Sequence, residues 1–201
     1  MGYLAGQTTK IALCTGSIAL PLHHPIHVAK SAATIDQLSN GRLILGVASG
    51  DRPSEYPAMG IDFDNRGALF RDAFQYIRKA QDSFPLLEAN HFGDWNGHID
   101  VLPKATAHKI PMLLTGHSRQ SIEWIAEHAD GWMYYPRNSY MQEYNITQWR
   151  SSIPDTQAYN KPFMQPLYVD LHHEDDFLPQ PIHLGFRIGV HHLIDLTAQN
   201  F

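Results

Sequence analysis

Five short apolar runs punctuate the chain, at 10–20, 42–49, 110–115, 131–135 and 163–171. Most are too short for helices, and several are continuous rather than alternating, as strands covered on both faces are. Helical spacing lies between them. Val28, Ala32, Ile35 and Leu38 recur at helical steps before Asn40-Gly41 supplies a stop. Leu69, Ala73, Ile77 and Ala80 mark one face of a second helix, widened by Phe70 and Phe74. Ile122, Ile125, Ala126 and Ala129 mark a third. A weaker pattern covers 139–150, and the last run leads through a polar, proline-bearing loop into a helical pattern over 183–196.

Strand followed by helix, five times over, predicts an α/β fold with parallel strands joined by right-handed crossovers. Periodicity alone permits either an open doubly wound sheet or a barrel. The stretch 88–108 interrupts the alternation; HFGDWNGHIDVLPKA is rich in turn residues and suits a short hairpin. A segment of that length in a compact domain is usually functional or an insertion. At 201 residues the chain reads as one domain, 1–201.

Composition narrows the function classes. A hydrophobic fraction of 43% and a charged fraction of 17% suit a globular protein. The net charge is −5 and the basic residues are scattered, so nucleic acid and anionic membranes are not expected partners. Cys14 is the only cysteine, which excludes an intrachain disulfide and a cysteine-based zinc site. Its apolar run makes it a small buried strand residue. The N-terminus has no secretory pattern and no run is long enough to span a bilayer, so a cytoplasmic enzyme or binding protein is expected.

In parallel α/β folds ligands gather where strands hand over to helices. Those turns are TGSIALPLHHP, GVASGDRPSEYPAMG, TGHSRQS and YYPRNSY. Gly116 permits a tight turn, and Ser118 and Ser121 add hydroxyls that could cradle a phosphate, with His117 or Arg119 adding charge. Ser118 could equally cap the helix it opens. The segment 46–51 lacks GxGxxG spacing and an acidic ribose contact, so a dinucleotide site is not supported. The paired histidines diverge on any regular element and chelate poorly; His172 to Asp176 reads as a solvated turn, and no metal site is expected. Trp132, Tyr134 and Tyr135 could wall a planar cofactor or fill the core.

Together these turns resemble the luciferase-like flavin monooxygenases. The resemblance rests on the His-Pro turn after the first strand, on Ile35-Asp36-Gln37-Leu38-Ser39-Asn40-Gly41-Arg42, and on the Gly-rich strand end with Glu55 and Met59-Gly60. It extends to IPMLLTGHSRQSIEWIAEHADGWMYY, which is similar to the family's phosphate turn and Ala-Asp-Gly-Trp strand. It implies a (β/α) TIM-barrel, incomplete, with about five of the eight strand–helix units: the first strand here matches the family's third, and the last helix matches the one before its eighth. It implies flavin mononucleotide at the carboxyl ends of the strands. Thr15, Gly16 and Ser17 would lie beside the ring, on a strand that carries a non-proline cis peptide in relatives. Ser49 and Gly50 would lie nearby, Gly116, His117, Ser118 and Ser121 at the phosphate, and substrate near Asp51, Arg52 and Trp132. The general-base histidine of luciferases has no counterpart, so no catalytic residue is assigned. The implied activity is oxidation of a small organic substrate by O2 with reduced FMN from a partner flavin reductase, in a homodimer. The alternatives are hydride transfer with a deazaflavin, or an inactive flavin- or partner-binding chain.

Overall fold

The computed structural model describes residues 1–137, 139–154 and 161–198. Its first half runs α1 (Gly2–Gln7), β1 (Leu13–Cys14), β2 (Ile18–Ala19), α2 (Pro25–Ser39), β3 (Leu43–Ala48), α3 (Glu55–Ala58) and α4 (Arg66–Ala80). A hairpin, β4 (Leu86–Asn90) and β5 (Gly93–Asn96), follows. Then come β6 (Met112–Thr115), α5 (Ile122–His128), β7 (Gly131–Met133), α6 (Ser139–Ser152), β8 (Phe163–Met164), β9 (Tyr168–Leu171), β10 (Gln180–Ile182), β11 (Gly185–Ile188) and α7 (Val190–Ala198).

The architecture is α/β, a curled parallel sheet in the order β1-β3-β6-β7-β8, with β2 also pairing with β3. Alternation along the strands divides its faces. Leu43, Leu45, Val47, Met112, Leu114 and Trp132 join one core with Val28, Phe70, Phe74, Ile77 and Ile125 from the helices. Burial of this apolar face, at ~25 cal/mol per Å², is what holds the helices on the sheet. α2 starts on His24, whose ring accepts the Ile26 N–H, with Pro25 at its first position. It stops on Asn40, which is left-handed at φ 55°. Leu38, expected on its inner face, is exposed; the buried stripe instead includes Val28, Ala29, Ala32, Ala33 and Asp36.

Three expectations are corrected in detail. The run at 10–20 is two short strands separated by a cis Gly16–Ser17 peptide. The run at 163–171 does not stay in one sheet: β8 pairs with β7, but β9 leaves to form a three-stranded sheet with β10 and β11. Pro166 lies between them and has no N–H for a ladder. The helix expected over 183–196 begins only at Val190, because 185–188 is β11, paired with β9 and β10. Gly185 allows that pairing: a Cβ there would sit 1.8 Å from the Tyr168 carbonyl oxygen. The hairpin expected within 88–108 is present, starting slightly earlier, and its Trp95 packs on the Tyr76 ring at 4.7 Å.

Candidate functional site

The chain segments that leave β1, β3 and β6 at their carboxyl ends converge on one cavity of about 550 Å³. This is the size of a cofactor or small-ligand site. Gly16 and Ser17 form one side, Ser49 to Arg52 a second, and Thr115 to Arg119 a third. Arg66, from the start of α4, also lines it. The two distant stretches expected to flank a flavin therefore face the same space.

Close backbone approach builds the floor. A Cβ at Gly46 would lie 1.9 Å from the Thr15 carbonyl oxygen, so only glycine lets the bend after β1 cross β3 there. Gly50 has φ +75° and would place a Cβ 2.8 Å from the Tyr56 hydroxyl. Ser49 is held from both sides: its N–H donates to Ser118 Oγ at 3.1 Å, and its carbonyl accepts from Tyr56 Oη. Ser118 Oγ donates in turn to the Thr115 carbonyl at 2.9 Å. That hydroxyl ties β3 to β6. Burial raises the Tyr56 phenol above its ordinary value, so it remains a donor at neutral pH.

The expected helix start at Ser118 is displaced. Ser118 and Arg119 are left-handed, at φ 46° and 62°, and α5 begins at Ile122. Ser121 is its N-cap, accepting the Trp124 N–H at 3.2 Å, and does not line the cavity. Thr15 also turns away: its Oγ1 donates to the Gly46 carbonyl at 2.9 Å, and it lines a separate, largely apolar cavity beside α2. Trp132, expected near substrate, is fully buried. Its large ring fills the core against Trp149 and Phe163, and its Nε1 donates to the Gly116 carbonyl at 2.6 Å. It supports the turn from behind. Asp51 and Arg52 stand at the cavity, where Arg52 pairs with Glu55 at 3.3 Å.

The charges at the site favour an anion. Arg52 is offset by Glu55, which leaves Arg66 and Arg119 facing Asp51. Arg66 is almost fully buried, lies 3.5 Å above the Phe63 ring and donates to the Phe63 carbonyl at 2.6 Å. It was not among the residues singled out from sequence. The available signal was a cation at the first position of a helix, where the dipole disfavours it unless an anion or a stacking partner compensates. His117 is exposed at the cavity and lies edge-on to Trp132 and Tyr134. Desolvation, and then the nearby Arg137, push its pKa below the ordinary histidine value, so it is a neutral imidazole here.

These features fit a flavin-like group. Gly16, Gly50 and Gly116 offer bare backbone to a planar ring, with open space within 4 Å of a Cβ built at Gly16. Arg66 and Arg119 both line the cavity, and a guanidinium is matched in charge and donor geometry to a phosphate. No group of three or more His, Cys, Asp or Glu is placed to hold a metal among the described residues.

The family model for luciferase-like monooxygenases matches residues 1–152. The chain belongs to that family. Among curated proteins, this luciferase-like chain is 33% identical over 142 residues to an uncharacterized protein of Mycobacterium tuberculosis, covering 69% of this chain and 49% of the relative. It thus spans about half the length of such relatives. Among solved structures, it superposes on the monooxygenase RslO1 of Streptomyces bottropensis with a TM-score of 0.74 at 22% identity, covering 87% of this chain and 54% of the other. The coenzyme F420 dependent tetrahydromethanopterin reductase of Methanopyrus kandleri gives 0.70 at 19% identity, covering 87% and 55%. The oxygenating constituent of 3,6-diketocamphane monooxygenase from Pseudomonas putida, in complex with FMN, gives 0.69 at 18% identity, covering 86% and 52%. These superpositions establish the luciferase-like TIM-barrel type of fold, of which the curled sheet is a part.

Proposed function

We propose that this luciferase-like chain is a flavin-dependent monooxygenase that uses reduced FMN and O2 to oxidise a small organic substrate. The observation that carries the reading is the meeting of Gly16-Ser17, Ser49-Gly50 and Gly116 to Arg119 around one cavity, with Arg66 and Arg119 at its wall. Reduced flavin, when bound, supplies the two electrons that send one oxygen atom of O2 into the substrate and the other into water. The residues of the chain bind and orient. Arg66 and Arg119 would hold the phosphate, and the bare backbone at Gly16 and Gly50 would take the ring. Tyr135, half exposed at the cavity, covers the turn at Gly116. Asp51 and Arg52 stand where substrate would enter. Neutral His117 contributes a hydrogen bond rather than a charge. The partners are a flavin reductase and a second copy of the chain, and the location is cytoplasmic.

Deazaflavin is the second reading, favoured by the fold shared with the F420 dependent reductase. Anaerobic titration of the purified chain with oxidised FMN, reduced FMN and a deazaflavin, followed by flavin fluorescence and absorbance, separates the two. Saturable binding that is tightest for reduced FMN supports the monooxygenase. Tighter binding of the deazaflavin would replace it with hydride transfer, and binding of none would end both.

A further inference from the structure

The short segment from Tyr56 to Arg66 lies mostly behind the cavity wall, yet it touches the site at both ends. At one end the Tyr56 hydroxyl donates to the Ser49 carbonyl, on the floor. At the other, Arg66 lines the cavity, its guanidinium stacked on the Phe63 ring and donating to the Phe63 carbonyl. The two ends meet in the middle, because the Tyr56 and Phe63 rings pack edge to face with centroids 5.0 Å apart. The result is a continuous line of contacts: Arg66, Phe63, Tyr56, Ser49 and Ser118. Asp62, which accepts the Asp64 N–H at 3.0 Å, fixes the turn that presents Phe63. Tyr56 itself is wholly buried and does not line the cavity.

We infer that Tyr56 and Phe63 are positioning residues of the flavin site: Tyr56 fixes the Ser49-Gly50 floor, and Phe63 is the platform that aims Arg66 at the phosphate. The inference rests on the proposed flavin reading. The physical argument concerns what each group would do if freed. A buried arginine side chain loses rotamer freedom when it is fixed, and a flat ring beneath the guanidinium keeps it in one place before any ligand arrives. The Ser49 carbonyl, without its phenol partner, would be a buried acceptor that must find water or move. The turn then leaves the conformation that Gly50 supports. The two residues therefore act on different parts of the ligand, ring and phosphate, and this separates them from residues that merely stabilise the fold.

Two substitutions and two ligands test this. Phe63→Leu removes the platform and keeps the bulk apolar; Tyr56→Phe removes one hydroxyl. Affinities for FMN and for riboflavin, which lacks the phosphate, are measured on folded wild type and variants, with circular dichroism confirming the fold. Phe63→Leu is expected to weaken FMN about 10-fold while leaving riboflavin within about twofold, so that the preference for the phosphorylated ligand collapses. Tyr56→Phe is expected to weaken both by about 10-fold with the preference intact. Equal loss of both ligands in Phe63→Leu, or unchanged affinity in Tyr56→Phe, would overturn the inference. Amide hydrogen exchange over 46–52 gives a readout that needs no flavin. Faster exchange in Tyr56→Phe than in wild type is expected whether or not flavin binds; a wild type that binds neither flavin would remove the flavin reading, and both positioning roles with it, while leaving the Tyr56–Ser49 tie in place. Unchanged exchange removes the Tyr56 half whatever the affinities show.

Discussion

His117 shows how environment overrides residue type. The sequence offers it as a possible charge for a phosphate, but its ring lies edge-on to Trp132 and Tyr134, with its Nε2 3.3 Å from Tyr134 Oη. Desolvation first, and Arg137 second, lower its pKa. The folded imidazole thus takes up a proton less readily than the unfolded one. Its contribution to stability is present above pH ~6.5 and is lost as pH falls through the folded value. Thermal unfolding of wild type and His117→Gln between pH 7.5 and 5 is expected to show a steeper loss for wild type on the acid side; parallel profiles would contradict the neutral assignment. Arg66 and Arg119 carry the opposite expectation. Alanine at either should weaken FMN about 10- to 100-fold and reduce the salt dependence of binding, as loss of a charged hydrogen bond does. Sequence alone could find the Gly116 to Arg119 turn because glycine and hydroxyl residues stand together there. It could not rank the hydroxyls, since which of Ser118 and Ser121 caps α5 depends on where the chain turns left-handed. Tyr56 left no mark in the sequence, because its partner is a main-chain carbonyl seven residues away.

At the scale of elements, the apolar periodicity located β3, β6, β7, α2, α4 and α5 because each has a strand or helix face packed in one core. The periodicity misled where backbone rather than side chains decides. Pro166 breaks the fifth run, and Gly185 draws β11 against β9 where a helix was expected. Asp130, at the entry to β7, shows how the opposite end of the sheet is fastened. Its carboxylate accepts from Arg78, from Lys109 Nζ at 2.8 Å and from the Met112 N–H at 2.8 Å. Burial raises its pKa, but the Arg78, Lys109 and Met112 contacts outweigh that and leave it below the ordinary carboxylate range. Asp130→Asn should cost about 1.5–3 kcal/mol in denaturant unfolding at neutral pH, as loss of hydrogen bonds to a charged group does. The stabilisation is present above the unfolded aspartate value of about 3.9 and fades as pH falls through the folded one, so the deficit should shrink in acid. A deficit that stayed constant down to pH 2 would assign the effect to packing instead.

Over the whole molecule, two parts differ in how firmly they are built. The parallel sheet and its helices hold nearly all of the buried side chains, whereas the β9-β10-β11 sheet and α7 contribute little beyond Ile188. Local opening should therefore be easier in the second part. Amide exchange is expected to be faster over 168–198 than over 43–48 and 112–115, and equal protection would mean that the small sheet is packed as tightly as the core. The cavity belongs to the firm part, which suits a site that must hold its geometry before a ligand binds. A crystal structure of the chain with FMN tests the central claim most directly. The isoalloxazine is predicted against Gly16-Ser17 and Gly50, with the phosphate within hydrogen-bond reach of Arg66 or Arg119. Flavin ordered instead in the apolar cavity between α2 and the sheet, or none at saturating concentration, would contradict it.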